Sequence, residues 1–208
     1  MKYLLIAFLW AAYCALHSFL ISISFTKLIA RLLKSYYAFY RLFYVVLSIV
    51  LLVPLIKYTD YADSAVPIAY PAPLNILRYV LIAGSLIMFG WAFFFNYDCL
   101  SFFGIRQILT LRKQAESSKE VAKNGLLGVV RHPMYLALII YLWCQIFSVV
   151  DLMVTALLTA YVIVGTLLEE RKLILEFGDS YARYQQEVPM LIPFAKRGPH
   201  NRQTAWPR

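Results

Sequence analysis

Apolar residues run through this chain in long blocks, broken only at intervals by polar ones. A helix crossing the hydrocarbon needs about 20 apolar residues, with a working range of roughly 17–25. Five segments read as such spans: 3–23, 37–56, 74–95, 134–150 and 152–168. The first is too long for a signal peptide and lacks a small-residue cleavage site, so it reads as a retained span. The second ends near Pro54 and Lys57. Only Asp151 separates the fourth from the fifth. A lone Asp in mid-membrane is costly, so these two spans are expected to form a tight hairpin with Asp151 at its tip.

The polar segments between the blocks give an orientation. Lys and Arg number three in the first loop (Lys27, Arg31, Lys34) and none in the second, 58–73. The third loop, 96–133, has six: Arg106, Arg112, Lys113, Lys119, Lys123 and Arg131. The hairpin tip has none, and the tail after Leu168 has seven (Arg171, Lys172, Arg183, Lys196, Arg197, Arg202, Arg208). This alternation predicts an amino terminus outside and a carboxyl terminus in the cytosol. Five spans satisfy it; four or six break it. Residues 62–73 are proline-rich and read as an irregular extracytoplasmic connection.

Beyond Leu168 the fifth helix is expected to continue into the cytosol. Gly178 suits its stop, and Asp179 or Ser180 suits the cap of a short second helix. Ile174, Phe177, Tyr181, Tyr184 and Val188 form one helical stripe, expected to lie on the bilayer surface or on the third loop. The predicted fold class is therefore all-α integral membrane, a single membrane domain over 1–208. Residues 169–194 form a cytosolic helical segment, and 195–208 form a basic tail. No internal repeat is found, which weighs against transporters built from two inverted halves.

Composition narrows the functional classes. The 208 residues are 62% hydrophobic and 15% charged, with a mean hydropathy of +0.66. A soluble fold of this size has too much surface for its volume to hide so many apolar side chains. That excludes a soluble enzyme, a disordered chain and a disulfide scaffold. The formal charge of +9 sits in basic residues flanking apolar runs. There it meets anionic lipid headgroups rather than nucleic acid. Cys14, Cys99 and Cys144 are widely spaced with no CxxC, so they read as packing residues and not as a metal site.

The chemistry collects at the predicted cytosolic ends. In Asn124-Gly125-Leu126-Leu127-Gly128-Val129-Val130-Arg131-His132-Pro133-Met134-Tyr135, two glycines allow close backbone approach. Arg131 and His132 stand before Pro133, which suits the first turn of the fourth span. A helix amino terminus beside Arg and His can take an anionic group. The plainer reading is a membrane-anchoring Arg and a surface His ahead of a proline cap. The second cluster is Glu169-Glu170. Adjacent helical carboxylates point about 100° apart, so one faces the bundle while the other is solvated or paired with Arg171 or Lys172. Two 17-residue helices each rise about 25 Å, so the hairpin returns Glu169 and Glu170 to the level of Arg131 and His132. A cationic pair facing a carboxylate pair complements a zwitterion.

Arg131-His132-Pro133-Met134-Tyr135 and Glu169-Glu170 are followed by Phe177-Gly178-Asp179-Ser180-Tyr181-Ala182-Arg183-Tyr184 and by Val188-Pro189-Met190-Leu191-Ile192-Pro193. In this order they resemble the isoprenylcysteine carboxyl methyltransferase family, which also includes bacterial methanethiol S-methyltransferase-like proteins and relatives of the phospholipid methyltransferases. The resemblance covers about 124–194. Leu16-His17-Ser18 and Phe102-Phe103-Gly104-Ile105-Arg106-Gln107 look like the bacterial thiol-methylating branch. The resemblance implies S-adenosylmethionine as methyl donor in a cytosol-facing pocket. His132, Pro133, Met134, Tyr135, Leu127 and one of Glu169 or Glu170 would contact it, with His132 and Arg131 at the reacting end. Two positions depart from the animal prenylcysteine enzymes. Leu127 stands where they have Tyr, and Gly165 where they have an Arg associated with substrate.

Methyl transfer from a sulfonium is an in-line displacement that gains from positioning and water exclusion. A carboxylate acceptor needs no base, whereas a thiol with pKa near about 8.5 must lose a proton. His132 and His17 are the conceivable bases, and Tyr135 is a weaker one. An intramembrane histidine is a functional candidate, although His17 also suits a hydrogen bond to a neighbouring helix. The leading expectation is a methyltransferase acting on a small thiol or lipophilic acceptor in contact with membrane lipid, in a bacterial inner membrane. The rival is a non-catalytic membrane protein, an assembly factor or lipid-binding module. The acceptor and the oligomeric state stay open.

Overall fold

The computed structural model describes residues 1–63, 70–96, 103, 105, 125–145 and 148–193. Among them the regular structure is helical: α1 (Lys2–Ile21), α2 (Ile23–Leu33), α3 (Tyr40–Ala62), α4 (Ala72–Trp91), α5 (Pro133–Trp143), α6 (Val149–Phe177) and α7 (Asp179–Glu187). A 3-10 stretch, Lys34–Phe39, leads into α3, and α4 runs on into a wide π turn, Ala92–Asn96. Four segments are long and apolar enough to cross a membrane: Lys2–Ile21, Tyr36–Ala62, Ala72–Phe95 and Val149–Phe177. Their outer faces expose Phe8, Ile49, Val50, Ile76, Val80 and Ile87. Apolar surface on that scale does not face water in a soluble monomer. This is a multi-pass membrane protein.

The fourth expected span is shorter than the sequence predicts. α5 has 11 residues, about 16 Å of rise against a hydrocarbon core of about 30 Å. Arg78 of α4 explains the early stop, because its Nε donates to the Cys144 carbonyl (2.7 Å) and satisfies a group the helix end leaves open. The turn toward α6 therefore comes before Asp151. Ser148 Oγ accepts the Asp151 amide (3.0 Å) and caps α6, which places Asp151 in the first turn, where the helix dipole favours an anion.

Other boundaries also move. α3 continues through Pro54 to Ala62 because neighbours hold the turn that follows the proline. Trp10 Nε1 donates to Thr59 Oγ1 (3.0 Å), and Thr59 Oγ1 donates to the Leu55 carbonyl (2.8 Å). α1 ends at Ile21 because the Ser22 hydroxyl accepts the Phe25 amide (3.3 Å) and starts α2. Lys27 and Arg31 thus lie on α2 rather than in a loop. Arg106, Arg112, Lys113, Lys119, Lys123, Asn124, Cys99 and 194–208 lie outside the described residues, as does the 102–107 motif apart from Phe103 and Ile105.

The helices pack as α1 on α3 and α6, α4 on α5, α5 on α6, and α6 on α7. At one end Ile6, Trp10, Leu55 and Val150 form a buried core, and Lys2 Nζ donates to the Ala62 carbonyl (3.4 Å). The chain alternates direction, so the last residues of α1, α4 and α6 and the first residues of α3 and α5 share the opposite end. Arg131, His132, Glu169 and Glu170 gather there.

Candidate active site

Pro133 opens α5 with its fixed φ and no amide to satisfy. Arg131 and His132 are thereby held just before the helix, facing α6. Two backbone bonds fix them further: the Arg131 amide donates to the Pro189 carbonyl (2.9 Å) and the His132 amide to the Met190 carbonyl (3.2 Å). The Val188-Pro189-Met190 stretch is therefore stitched along the Arg-His-Pro motif.

Glu170 is the centre of a closed knot. Arg131 grips it with both arms of the guanidinium, Nε to Oε1 (2.6 Å) and Nη2 to Oε2 (2.9 Å). His132 Nε2 donates to Oε1 (3.2 Å), Tyr181 Oη donates to Oε1 (3.3 Å) and Gln185 Nε2 donates to Oε2 (2.9 Å). The remaining arm of Arg131, Nη1, donates to the carbonyls of Gln185 (3.0 Å) and Val188 (2.5 Å). Glu170 and Arg131 are both 9% exposed in their side chains. A buried charge pair is tolerated only when its remaining hydrogen-bonding groups are also satisfied, as they are here.

Glu169, one residue earlier, sits at the edge. Its side chain is 34% exposed and 4.0 Å from His132 Nδ1. Tyr135 Oη donates to its Oε2 (2.7 Å), while Oε1 has no partner among the described residues. The His132 and Tyr135 rings stack at 5.5 Å and 14° beside it. The adjacent carboxylates thus divide as the 100° helical step requires, one inward and one toward open space.

α7 closes the site from the far side. Gly178 turns the chain back at φ +58, a conformation side chains with a Cβ rarely adopt. Tyr181, Tyr184 and Val188 then pack with Phe177 and Leu173 as one buried cluster. Tyr184 Oη donates to the Leu127 carbonyl (2.6 Å), tying α7 to the 3-10 turn Gly125–Gly128. Burial pushes the Tyr184 phenol up to about 12. Burial and then the Glu170 carboxylate push that of Tyr181 up as well. Both hydroxyls remain donors at neutral pH.

The structure therefore brings Arg131, His132, Pro133, Met134, Tyr135, Glu169 and Glu170 together, with Leu127 entering through its carbonyl. Pro133 and Met134 are buried at the helix start. The aromatic stripe packs on α6 and the 125–128 turn, with Ile174 39% exposed and outside it. Gln185 of the knot and the helix-ending Arg78 carried no signal in the sequence, because a lone polar residue has no periodicity to mark it. Cys14 and Cys144 are buried and free.

Comparison with known proteins adds a chemistry. The chain is 37% identical over 119 residues to methanethiol S-methyltransferase 1 of Bradyrhizobium diazoefficiens, covering 56% of this chain and 41% of that protein. It is 34% identical over 121 residues to methanethiol S-methyltransferase of Pseudomonas deceptionensis (55% and 46%). It resembles the methanethiol S-methyltransferases. A second Bradyrhizobium diazoefficiens protein of that name is 33% identical over 149 residues, 66% of this chain and 58% of the other. The chain spans about half the length of the curated relatives it matches. No family model and no solved structure matches it.

Proposed function

We propose that this chain is a membrane methyltransferase that carries the methyl group of S-adenosylmethionine to a small thiol. The likeness to methanethiol S-methyltransferases supplies the reaction class, and one structural observation carries the assignment of the site: the outward Oε1 of Glu169. A half-exposed carboxylate oxygen with no described partner, beside stacked His132 and Tyr135, suits an ammonium or a ribose hydroxyl. The first turn of α5, Pro133-Met134-Tyr135, offers helix-start amides suited to a carboxylate. The residues present thus fit the two ends of a zwitterionic amino acid.

When bound, the sulfonium supplies an electrophilic methyl carbon and a neutral leaving group. The protein's part is binding, orientation and exclusion of water. Glu169, Tyr135 and His132 hold the methyl donor. Arg131 and Glu170 spend their hydrogen bonds on each other and on α7, so they position His132 and the closing segment. The site end faces the cytosol in this reading, supported by Lys27, Arg31, Arg131, Arg171 and Lys172 near that end. In this reading α5 is the fourth and shortest of five crossings, and α6 is the fifth.

Calorimetry of the purified protein with S-adenosylhomocysteine tests the proposal. Saturable binding, with transfer of label from S-adenosylmethionine to a small thiol, is expected. Absence of binding overturns it and leaves a non-catalytic membrane protein. A reporter fused after Arg208 that proves extracytoplasmic overturns the orientation.

A further inference from the structure

Deeper in the bundle than the charged knot lies a second polar cluster, centred on His17. Ser18 Oγ donates to Tyr161 Oη (3.1 Å), and Tyr161 Oη is 2.8 Å from His17 Nδ1. Tyr44 Oη is 2.6 Å from His17 Nε2 and 3.1 Å from Nδ1, and its ring lies 5.1 Å from the imidazole. Tyr161 accepts from Ser18, so its own proton points to Nδ1. In the tautomer with its hydrogen on Nε2, the ring nitrogen nearer Tyr44, His17 donates to the Tyr44 hydroxyl. The arrangement leaves an Nδ1 lone pair that is reached through a phenol hydroxyl. The other titratable groups around it are Tyr13, 5.9 Å away on the same helix, and Cys14, close enough to couple with Tyr161. Tyr40, one turn from Tyr44 on α3, donates to the Leu20 carbonyl (2.8 Å).

Space lies next to this cluster. Tyr161, Gly165 and Glu169 follow one another four residues apart on α6, about 6 Å per step. All three are half-buried, while Val164 and Leu168 beside them are exposed. A methyl group on Gly165 would meet no described atom within 4 Å. An open position therefore sits one turn from the hydroxyl cluster and one turn from Glu169.

We propose that the space beside Gly165 receives the acceptor thiol and that His17, reached through the Tyr161 hydroxyl, takes its proton. This rests on the thiol methyltransferase reading. The thiol S–H proton passes to Tyr161 Oη as the Tyr161 proton passes to His17 Nδ1, leaving a thiolate, a neutral Tyr161 and an imidazolium. The thiolate sulfur bonds to the methyl carbon, and the carbon–sulfonium bond breaks with its electron pair kept by the departing sulfur. His17 returns the proton to water after the product leaves. Hydroxyl partners suit this work inside a membrane, because the cluster is neutral at rest and carries charge only during turnover.

Three histidines in the chain make the test direct. The parent protein, labelled with ¹³C-histidine and saturated with S-adenosylhomocysteine, is titrated with ethanethiol. The resonance absent from His17→Gln is expected to move, and a His17 resonance that stays fixed overturns the proposal, with His17→Asn as a second assigning variant. Turnover adds a second readout. His17→Gln and Tyr161→Phe should lower the rate with an alkyl thiol about 100-fold or more at pH 7, at unchanged affinity for S-adenosylhomocysteine. The loss should shrink about tenfold per pH unit as the free thiol ionises, and it should vanish with an aromatic thiol already ionised at pH 7. Variants that bind S-adenosylhomocysteine and keep the parent's rate and pH profile overturn the proton-acceptor role alone. A parent that fails to bind S-adenosylhomocysteine overturns the methyltransferase reading itself.

Discussion

Two polar clusters among the described residues are built on opposite terms. At the site end, Arg131 and Glu170 are fully charged, and every arm of each is taken by His132, Tyr181, Gln185 or a backbone carbonyl. Within the bundle, His17, Tyr44, Tyr161 and Ser18 meet through neutral groups alone. A charge beyond the hydrocarbon can be held by a dense set of partners, whereas one at membrane depth is expensive even when paired. The first cluster is therefore suited to holding structure and the second to moving a proton. Glu169 belongs to neither, and its open oxygen marks the boundary between them.

The sharpest way to break the first cluster is to remove one member of its ion pair. Arg131→Ala should cost about 3–5 kcal/mol of stability, because it strands a buried carboxylate. A lowered thermal midpoint and protease cleavage between α6 and α7 are the expected signs, and an unchanged midpoint would refute the knot. Glu169→Gln should do the reverse. It should leave the midpoint in place while weakening S-adenosylhomocysteine binding about 10- to 150-fold, the equivalent of about 1.5–3 kcal/mol for a charge-assisted bond. Calorimetry and melting on the same preparation separate the two.

Smaller effects sharpen the picture of α7. Alanine at Gly178 should cost about 1–3 kcal/mol through its positive φ, read as a lower midpoint with methyl-donor affinity retained once folded. Phenylalanine at Tyr184 should cost about 1 kcal/mol, the net worth of one neutral hydrogen bond. The Tyr184 phenol is raised in the folded state to about 12, against about 10 unfolded. Its contribution is thus fully present below pH 10 and is lost as pH climbs from about 10 through 12. Parent and variant melts should converge over that window and differ by a constant amount below it.

What the sequence disclosed depended on how each feature is encoded. The meeting of Arg131-His132 with Glu169-Glu170 was legible, because two apolar runs joined by a short link must return to one level. The tyrosine stripe was legible from its helical spacing. The boundaries were less so. Pro54 reads as a stop, yet α3 passes through it because Trp10 and Thr59 hold the following turn. α5 reads as 17 residues but stops after 11, because Arg78 reaches the Cys144 carbonyl at its end from another helix. Which carboxylate points inward depends on helix rotation, which an adjacent pair leaves open. Tyr44 and Tyr161 gave no sign of meeting His17, since a tyrosine in an apolar run looks like any other large hydrophobic residue.

The stitching of Pro189 and Met190 to Arg131 and His132 has a consequence for how the protein is made. These partners lie nearly sixty residues apart, and the helices that carry the motif leave the ribosome first. Until Val188 arrives, Arg131 lacks the carbonyls that complete its shell, and His132 lacks a partner for its amide. A nascent chain halted after α6 would thus have its membrane helices synthesised and its pocket undone. Assembly of the site then waits on the segment that follows α7, and a quality-control protease that samples the α6–α7 junction would sense whether it has docked.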